Sequence, residues 1–295
     1  MMRDHPILKC VERAVQFIQT ELHNDRAPTL DDIATSSGLS KFHFHRVYKL
    51  VTGETCQQTV TRLRLAKGTW TLQDPGMSIT DAAFTAGYGS SQAFAKAIKR
   101  ELTETPSALR SDPERLADTV RTLLEPNQLD DGHELQPIRI EICSLDPFEV
   151  LLVRTTDKYP ELAQTYWQLV EAIGEPQNIR AILGMPHRDI ATFEDEGFVF
   201  DCALAPFTVP QKLPSKLQPA LTLGSIASGP YLLARHTGPD STLPTTLDDL
   251  YAFALARPDF SLADVPCIHH FIDDPEKIDE AKCRTDIYLK IEIAE

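Results

Sequence analysis

The feature that most limits what this chain can fold into is a short pattern written twice, about 50 residues apart. Thr29-Leu30-Asp31-Asp32, then Ile33-Ala34 and Ser37-Gly38-Leu39-Ser40, returns as Ser78-Ile79-Thr80-Asp81, then Ala82-Ala83, Ala86-Gly87-Tyr88 and Ser90. Each copy opens with Ser/Thr-x-x-Asp, in which a hydroxyl and a carboxylate can satisfy the unpaired amide donors of a helix start. Each then offers one short helix that ends at Gly38 or Gly87, because glycine takes the left-handed backbone of a helix C-terminus without steric cost. A second helix follows at once. The chain therefore predicts two helical hairpins, at about 29–52 and 78–101.

The second helix of each copy is amphipathic. In the first, Phe44, Val47, Tyr48 and Val51 fall at i, i+3, i+4, i+7 and form one apolar stripe, while Phe42, His45, Arg46 and Lys49 face the other way with Lys41 beside them. In the second, Phe94, Ala97 and Ile98 point inward, and Gln92, Ala95, Lys96 and Lys99 outward. Upstream, Val11, Val15, Ile18 and Leu22 make a helix that can brace the first copy. Residues 55–73 carry Val60, Leu63 and Trp70 at helical spacing among Arg62, Arg64 and Lys67, and must stop at Asp74-Pro75-Gly76. One long helix would then hold the two hairpins at a fixed separation.

A net charge of −14 argues at first against a polyanionic partner. The average hides a division. Residues 1–112 hold 14 Lys+Arg against 12 Asp+Glu, whereas 113–295 hold 15 against 31, and within 40–100 the balance is 9 against 3. Such segregation fits one domain that meets phosphate and another that does not. The division predicts a helical domain over 1–112, a linker over 113–137 with one short helix at 115–124, and a second domain over 138–295. The six cysteines are scattered and never form C-x-x-C, which reads as reduced thiols suited to a cytoplasm. With no leading apolar segment and no apolar run of about 18 residues, neither secretion nor membrane insertion is expected.

The second domain carries its own repeat, with a spacing of 81. Val150-Leu151-Leu152-Val153-Arg154-Thr155-Thr156 aligns with Tyr231-Leu232-Leu233-Ala234-Arg235-His236-Thr237, and Leu162, Thr165 and Leu169 align with Leu243, Thr246 and Leu250. Each copy reads as a strand leading to a helix, with further strands at 198–204, 266–272 and 286–293. An α+β domain with pseudo-twofold symmetry follows, and a cleft between related halves is a usual place for a ligand.

A helical hairpin with a basic second helix is a device for the DNA major groove. Arg46 can donate twice to guanine and Gln92 can pair with adenine; Phe42 can press on a thymine methyl group and His45 can donate or accept. Lys41, Lys49, Lys96, Lys99 and Arg100 suit phosphates. One such hairpin alone would read as an ordinary solvated face; the duplication argues against that. His43 and His45 lie at i, i+2 on a helix and point apart, so no metal site is expected.

Residues 7–111 resemble the DNA-binding domain of the AraC/XylS family of transcription regulators, in the Rob-like order that places this domain first. The resemblance rests on Ser37-Gly38-Leu39-Ser40-Lys41-Phe42-His43-Phe44-His45-Arg46-Val47-Tyr48-Lys49 with Thr52-Gly53, on Arg62-Leu63 to Ala66, and on Ala86-Gly87-Tyr88 to Ser91-Gln92-Ala93-Phe94 with Lys96, Ile98 and Lys99, closing with Thr105-Pro106 and Arg110. It implies an all-α, homeodomain-like tandem helix-turn-helix whose base-reading positions are Phe42, His45 and Arg46, then Ser91, Gln92, Ala93 and Lys96. It also implies double-stranded DNA read in two adjacent major-groove segments, and RNA polymerase as a partner. Ala93 and Ala95 are bland for such a face, which implies weaker reading by the second unit.

Residues 138–294 resemble the GyrI-like effector-binding domain, through Phe148-Glu149-Val150 to Arg154-Thr155, Gly229-Pro230-Tyr231 to His236-Thr237-Gly238, Pro266 to Asp274-Pro275, and Arg284-Thr285-Asp286-Ile287-Tyr288-Leu289. That resemblance implies a small-molecule effector. Where such domains commonly read Glu-x-Tyr before the Asp-Pro, this chain reads His269-His270-Phe271, and a neutral imidazole attracts a cation far less than a carboxylate does. Strand alternation puts Cys267, His269 and Phe271 on one face, so His269 and Phe271 are expected in the pocket, with Phe148, Trp167 and Tyr288 as aromatic walls. Two alternatives stand beside the regulator. One is a hydrolase using Glu149, His236, His269 or His270, although the chain has no Gly-x-Ser-x-Gly, His-Glu-x-x-His or phosphate-cradling loop. The other is a DNA-binding or interaction module without a ligand. No enzymatic activity, cofactor, metal or membrane partner is expected.

Overall fold

Helix starts in this protein sit where the hydroxyl-carboxylate pairs place them. In the computed structural model, which describes residues 6–125, 138–156, 162–173, 176–187, 199–209 and 221–294, both expected capping boxes form. Thr29 Oγ1 accepts from the Asp32 amide while the Asp32 carboxylate accepts from the Thr29 amide at 3.1 Å; Ser78 and Asp81 repeat the exchange, at 2.9 Å. They open α2 (Leu30–Ser37) and α5 (Ile79–Thr85). Gly38 and Gly87, at φ +72° and +76°, reverse the chain into α3 (Phe44–Thr52) and α6 (Ser91–Leu102). An L-residue at such angles costs about 1–2 kcal/mol.

The described residues divide into two compact units. One contains residues 8–39 and 47–125; the other contains everything described from 138 onward, and residues 6–7 and 40–46 belong with it. α3 thus contributes its first turn to one unit and the rest to the other.

In the helical unit, α1 (Pro6–His23) braces α2 as expected: Arg13 donates to the Ser37 carbonyl. The long helix α4 (Cys56–Thr71) begins at a third box, Thr55 with Gln58. Its cations tie the unit together. Arg62 pairs with Glu54, which is buried, and donates to the Leu123 carbonyl; Arg64 donates to the Ala86 and Gly87 carbonyls and lies 4.5 Å from the Tyr88 ring; Lys67 donates to the Leu22 carbonyl. Removing one partner of a pair as buried as Arg62–Glu54 typically costs about 3–5 kcal/mol. Trp70, grouped by spacing with the apolar face of α4, is instead exposed.

After α7 (Pro106–Ser111), the stretch read as a linker with a short helix forms α8 (Pro113–Leu124). It is part of the helical unit, because Leu116, Val120 and Leu123 repeat at helical spacing and are buried, Leu116 and Leu123 in one core with Leu65, Phe94 and Leu109. The rest of the expected linker, 126–137, lies outside the described residues.

The second unit is built on one antiparallel sheet. β1 (Ile140–Leu145), β2 (Phe148–Thr155), α9 (Leu162–Ile173), β3 (Ile179–Pro186) and β4 (Phe200–Pro206) form the first half. β5 (Leu221–Ile226), β6 (Gly229–Thr237), α10 (Leu243–Leu255), β7 (Phe260–Leu262), β8 (Ile268–Phe271) and β9 (Arg284–Ile293) form the second. The strand order β1-β6-β9-β8-β3-β4-β2-β5, with β7 beside β9, reads as a palindrome of two modules meeting at β3 and β8. β1 precedes β2 but pairs with β6, and β5 precedes β6 but pairs with β2, so each half covers an edge of the other. The sequence repeat is visible in three dimensions. Arg154 faces Asp201 across β2 and β4, Arg235 faces Asp286 across β6 and β9, and both pairs are bidentate. Of the three strands expected after the helices, β4 starts at Phe200, Phe198 lying outside the described residues.

Candidate DNA-reading and effector sites

The two hairpins place their inner faces alike. Phe44, Val47 and Tyr48 on α3 and Phe94, Ala97 and Ile98 on α6 are all buried; burial of one such aromatic ring contributes about 1.5–3 kcal/mol. The outer faces differ. On α6, Gln92, Ala93, Lys96 and Lys99 are exposed and Ser91 is half-buried, with Ser90 Oγ accepting from the Ala93 amide to cap the helix. These side chains point into solvent along one side of a capped helix, as a groove-reading helix requires. In the first hairpin α3 starts only at Phe44, so Lys41, which is exposed, and Phe42, which is half-buried and was expected on the helix, lie in the turn before it; on α3 itself Lys49 is exposed, His45 half-buried, and Arg46 only 5% exposed.

The cause of that burial lies in the unit to which residues 40–46 belong. The Arg46 guanidinium pairs with the Asp248 carboxylate, donates to the Pro244 carbonyl at 3.1 Å and sits 5.8 Å from the Tyr251 ring centre. His43 is buried as well, its Nδ1 2.6 Å from the Tyr251 hydroxyl and its Nε2 2.9 Å from the Ala263 carbonyl. Burial pushes its pKa down to about 4. Both ring nitrogens of His43 are thus engaged, and among the described residues no group of three or more His, Cys, Asp and Glu is placed to hold a metal.

In the sheet unit, the helices mark one face. His236 hydrogen-bonds Thr246 of α10 and the Tyr166 ring of α9 stacks edge-on to Phe271 at 5.8 Å, so residues alternating with these face the helices. His269 and Phe271 therefore lie on the helix-covered side of the sheet, away from Phe148 and Tyr288, with which the sequence grouped them. His269 is fully buried, neither ring nitrogen has a hydrogen-bond partner among the described residues, and burial pushes its pKa down to about 3. Trp167 is 54% exposed on α9. Alternation was read correctly; which face the helices cover was not in the pattern.

The opposite face holds a second set that the sequence only partly named. Phe148 and Tyr288 pack there against a buried apolar cluster of Val150, Leu183, Met185, Tyr231 and Ile268. Tyr231 and Tyr288 meet edge-to-face at 6.4 Å, and the Arg180 guanidinium lies 4.9 Å over Phe148. His270 shares this face by alternation with Ile268. Tyr231 and Ile268 escaped notice because they read as ordinary strand residues, though the period of two carries them. The flanking Asp201 feels burial, which pushes its carboxyl up, but hydrogen bonds from Arg154 and His187 outweigh this and hold it at about 2. Of the residues named for hydrolysis, His236 is buried and hydrogen-bonded, whereas Glu149 is exposed.

Residues 33–112 match the family of a helix-turn-helix domain, and residues 139–292 match the GyrI-like small molecule binding domain. The probable transcription factor PqrA of Proteus vulgaris is 31% identical over 102 residues, 35% of this chain and 84% of its own length. The right origin-binding protein of Escherichia coli K12 is 34% identical over 105 residues, which span 36% of each protein. The crystal structure of the EcmrR C-terminal domain superposes with a TM-score of 0.45 at 14% identity, covering 54% of this chain and all of that one.

Proposed function

Because the chain belongs to the AraC family of transcription regulators and carries a GyrI-like small-molecule-binding domain, we propose that it reads DNA with α3 and α6 and that a small molecule bound to the sheet sets whether it does so. The observation that carries this reading is the duplicated hairpin, each copy opened by the same capping box, with Gln92, Lys96 and Lys99 exposed on the second helix of one copy, and Lys49 exposed on that of the other with Lys41 exposed in the turn before it. Arg46, Gln92, Phe42, His45 and Ser91 are the proposed base-edge contacts, with Ala93 on the same face; the lysines are the phosphate contacts. We place the effector on the face opposite the helices, against Phe148, Tyr231 and Tyr288, whose rings pack on one apolar cluster. His269 and Phe271 support that sheet from behind. RNA polymerase is the proposed protein partner, and the cytoplasm the proposed location. Among the described residues, no helix is long and apolar enough to cross a membrane. We assign no enzymatic role: of the groups considered for hydrolysis, His236 is held by Thr246 and the Pro239 carbonyl.

The assigned roles separate in one experiment. Lys49→Ala weakens binding to all duplexes and flattens the dependence of affinity on salt by about one unit of log–log slope, whereas Arg46→Ala relaxes preference at one base position. Identical consequences from the two substitutions contradict the assignment.

A further inference from the structure

The residues proposed to read the first half of a DNA site are already engaged by another part of the protein. From Ser40 to Arg46, the segment is bound through four residues: Ser40 Oγ donates to Asp264 at 2.7 Å, the Phe42 ring lies 5.2 Å from that of His187, His43 bridges Tyr251 and the Ala263 carbonyl, and Arg46 meets Asp248 and the Pro244 carbonyl. All seven residues belong to the compact unit formed by the sheet and its helices.

We infer that the surface around α10, with Asp248, Tyr251 and Asp264, is a binding site for the DNA-reading segment, and that it competes with DNA for Arg46. A guanidinium has one planar fork. It can present this to a carboxylate or to a guanine edge, not to both. The site offers what such a segment needs: a carboxylate and a carbonyl for the cation, an aromatic ring beneath it, and a carbonyl and a hydroxyl for the two imidazole nitrogens of His43. It also gives the acid excess of the second unit a role, since negative charge beside the segment opposes a competitor that is a polyanion. With the segment held here, DNA binding by the first hairpin requires its release. The inference rests on the reading of Phe42 and Arg46 as DNA contacts.

The test uses the full chain and a short duplex that the wild-type protein selects from a randomised pool. Asp248→Asn is expected to tighten binding to that duplex by roughly tenfold, the size of an ordinary coupling between sites. Introduced alongside Arg46→Ala, the same substitution is expected to change nothing, because the gain runs through Arg46 and not through general charge. Equal affinity of wild type and Asp248→Asn overturns the inference while leaving DNA reading intact, and so does an equal gain in both backgrounds. Loss of all sequence preference in every variant removes the reading itself, and the inference with it. A measurement without substitutions covers the case in which Asp248→Asn does not fold: saturation with the duplex should speed amide hydrogen exchange within Leu243–Leu255, and unchanged exchange there overturns the competition.

Discussion

α3 and α6 are two versions of one helix, and the contrast between them separates what local sequence encodes from what it does not. At a spacing of 50, Phe44 corresponds to Phe94, His43 to Ala93 and Arg46 to Lys96. The inner residues share one fate: both phenylalanines are completely buried. Outward residues do not. Lys96 and Ala93 stand in solvent, whereas Arg46 and His43 are enclosed by partners at Asp248, Tyr251 and Ala263, about 200 positions later in the chain. The inner face is fixed by helical period and by neighbours within one hairpin; the outer face answers to residues that no local pattern can announce.

The equivalence of the inner faces is open to the largest test. Phe44→Ala and Phe94→Ala should each cost about 3–5 kcal/mol in urea unfolding, since each removes a fully buried ring from a core that can collapse only partly. A cost below about 1 kcal/mol at either position would show that the two hairpins are not built alike.

Acid sharpens the outer contrast, with a smaller effect. Burial holds the His43 pKa at about 4 and that of His269 at about 3, against an ordinary 6.5. Between pH 6.5 and 4 the unfolded chain binds protons at these positions and the folded chain does not, so stability must fall as the pH falls, until the folded histidines titrate in turn. His43→Gln should flatten that decline in urea midpoints measured between pH 7 and 4.5, leaving the share due to His269; an unchanged slope would mean that His43 is not enclosed in solution. Ala93 gives the second hairpin no such dependence.

Much of the fold was legible because its signals are local. Thr29, Ser78, Gly38 and Gly87 act within four residues of themselves, and the strand-helix repeat around Arg154 and Arg235 announces two modules. Less was legible where the cause is distant. The acids that meet those arginines, Asp201 and Asp286, lie 47 and 51 residues further on, on strands whose register the pattern does not set. On β8 the pattern stops at the same point: alternation separates His269 from His270, but only the docking of α9 and α10 decides which of them is covered. Pro113, with the later Pro126, Asp130-Asp131-Gly132 and Pro137, suggested a linker holding one short helix; Pro113 in fact stands at the first position of α8, where proline is favoured.

The central claim is that both hairpins read one duplex. Sequencing the fragments that the full chain retains from a randomised pool at physiological salt tests this most directly. Two short motifs at a fixed centre-to-centre spacing of about 10–10.5 base pairs are predicted, the one assigned to α6 weaker and lost on Gln92→Ala. A retained pool with no enriched motif, or with one motif indifferent to any change on α6, would contradict it.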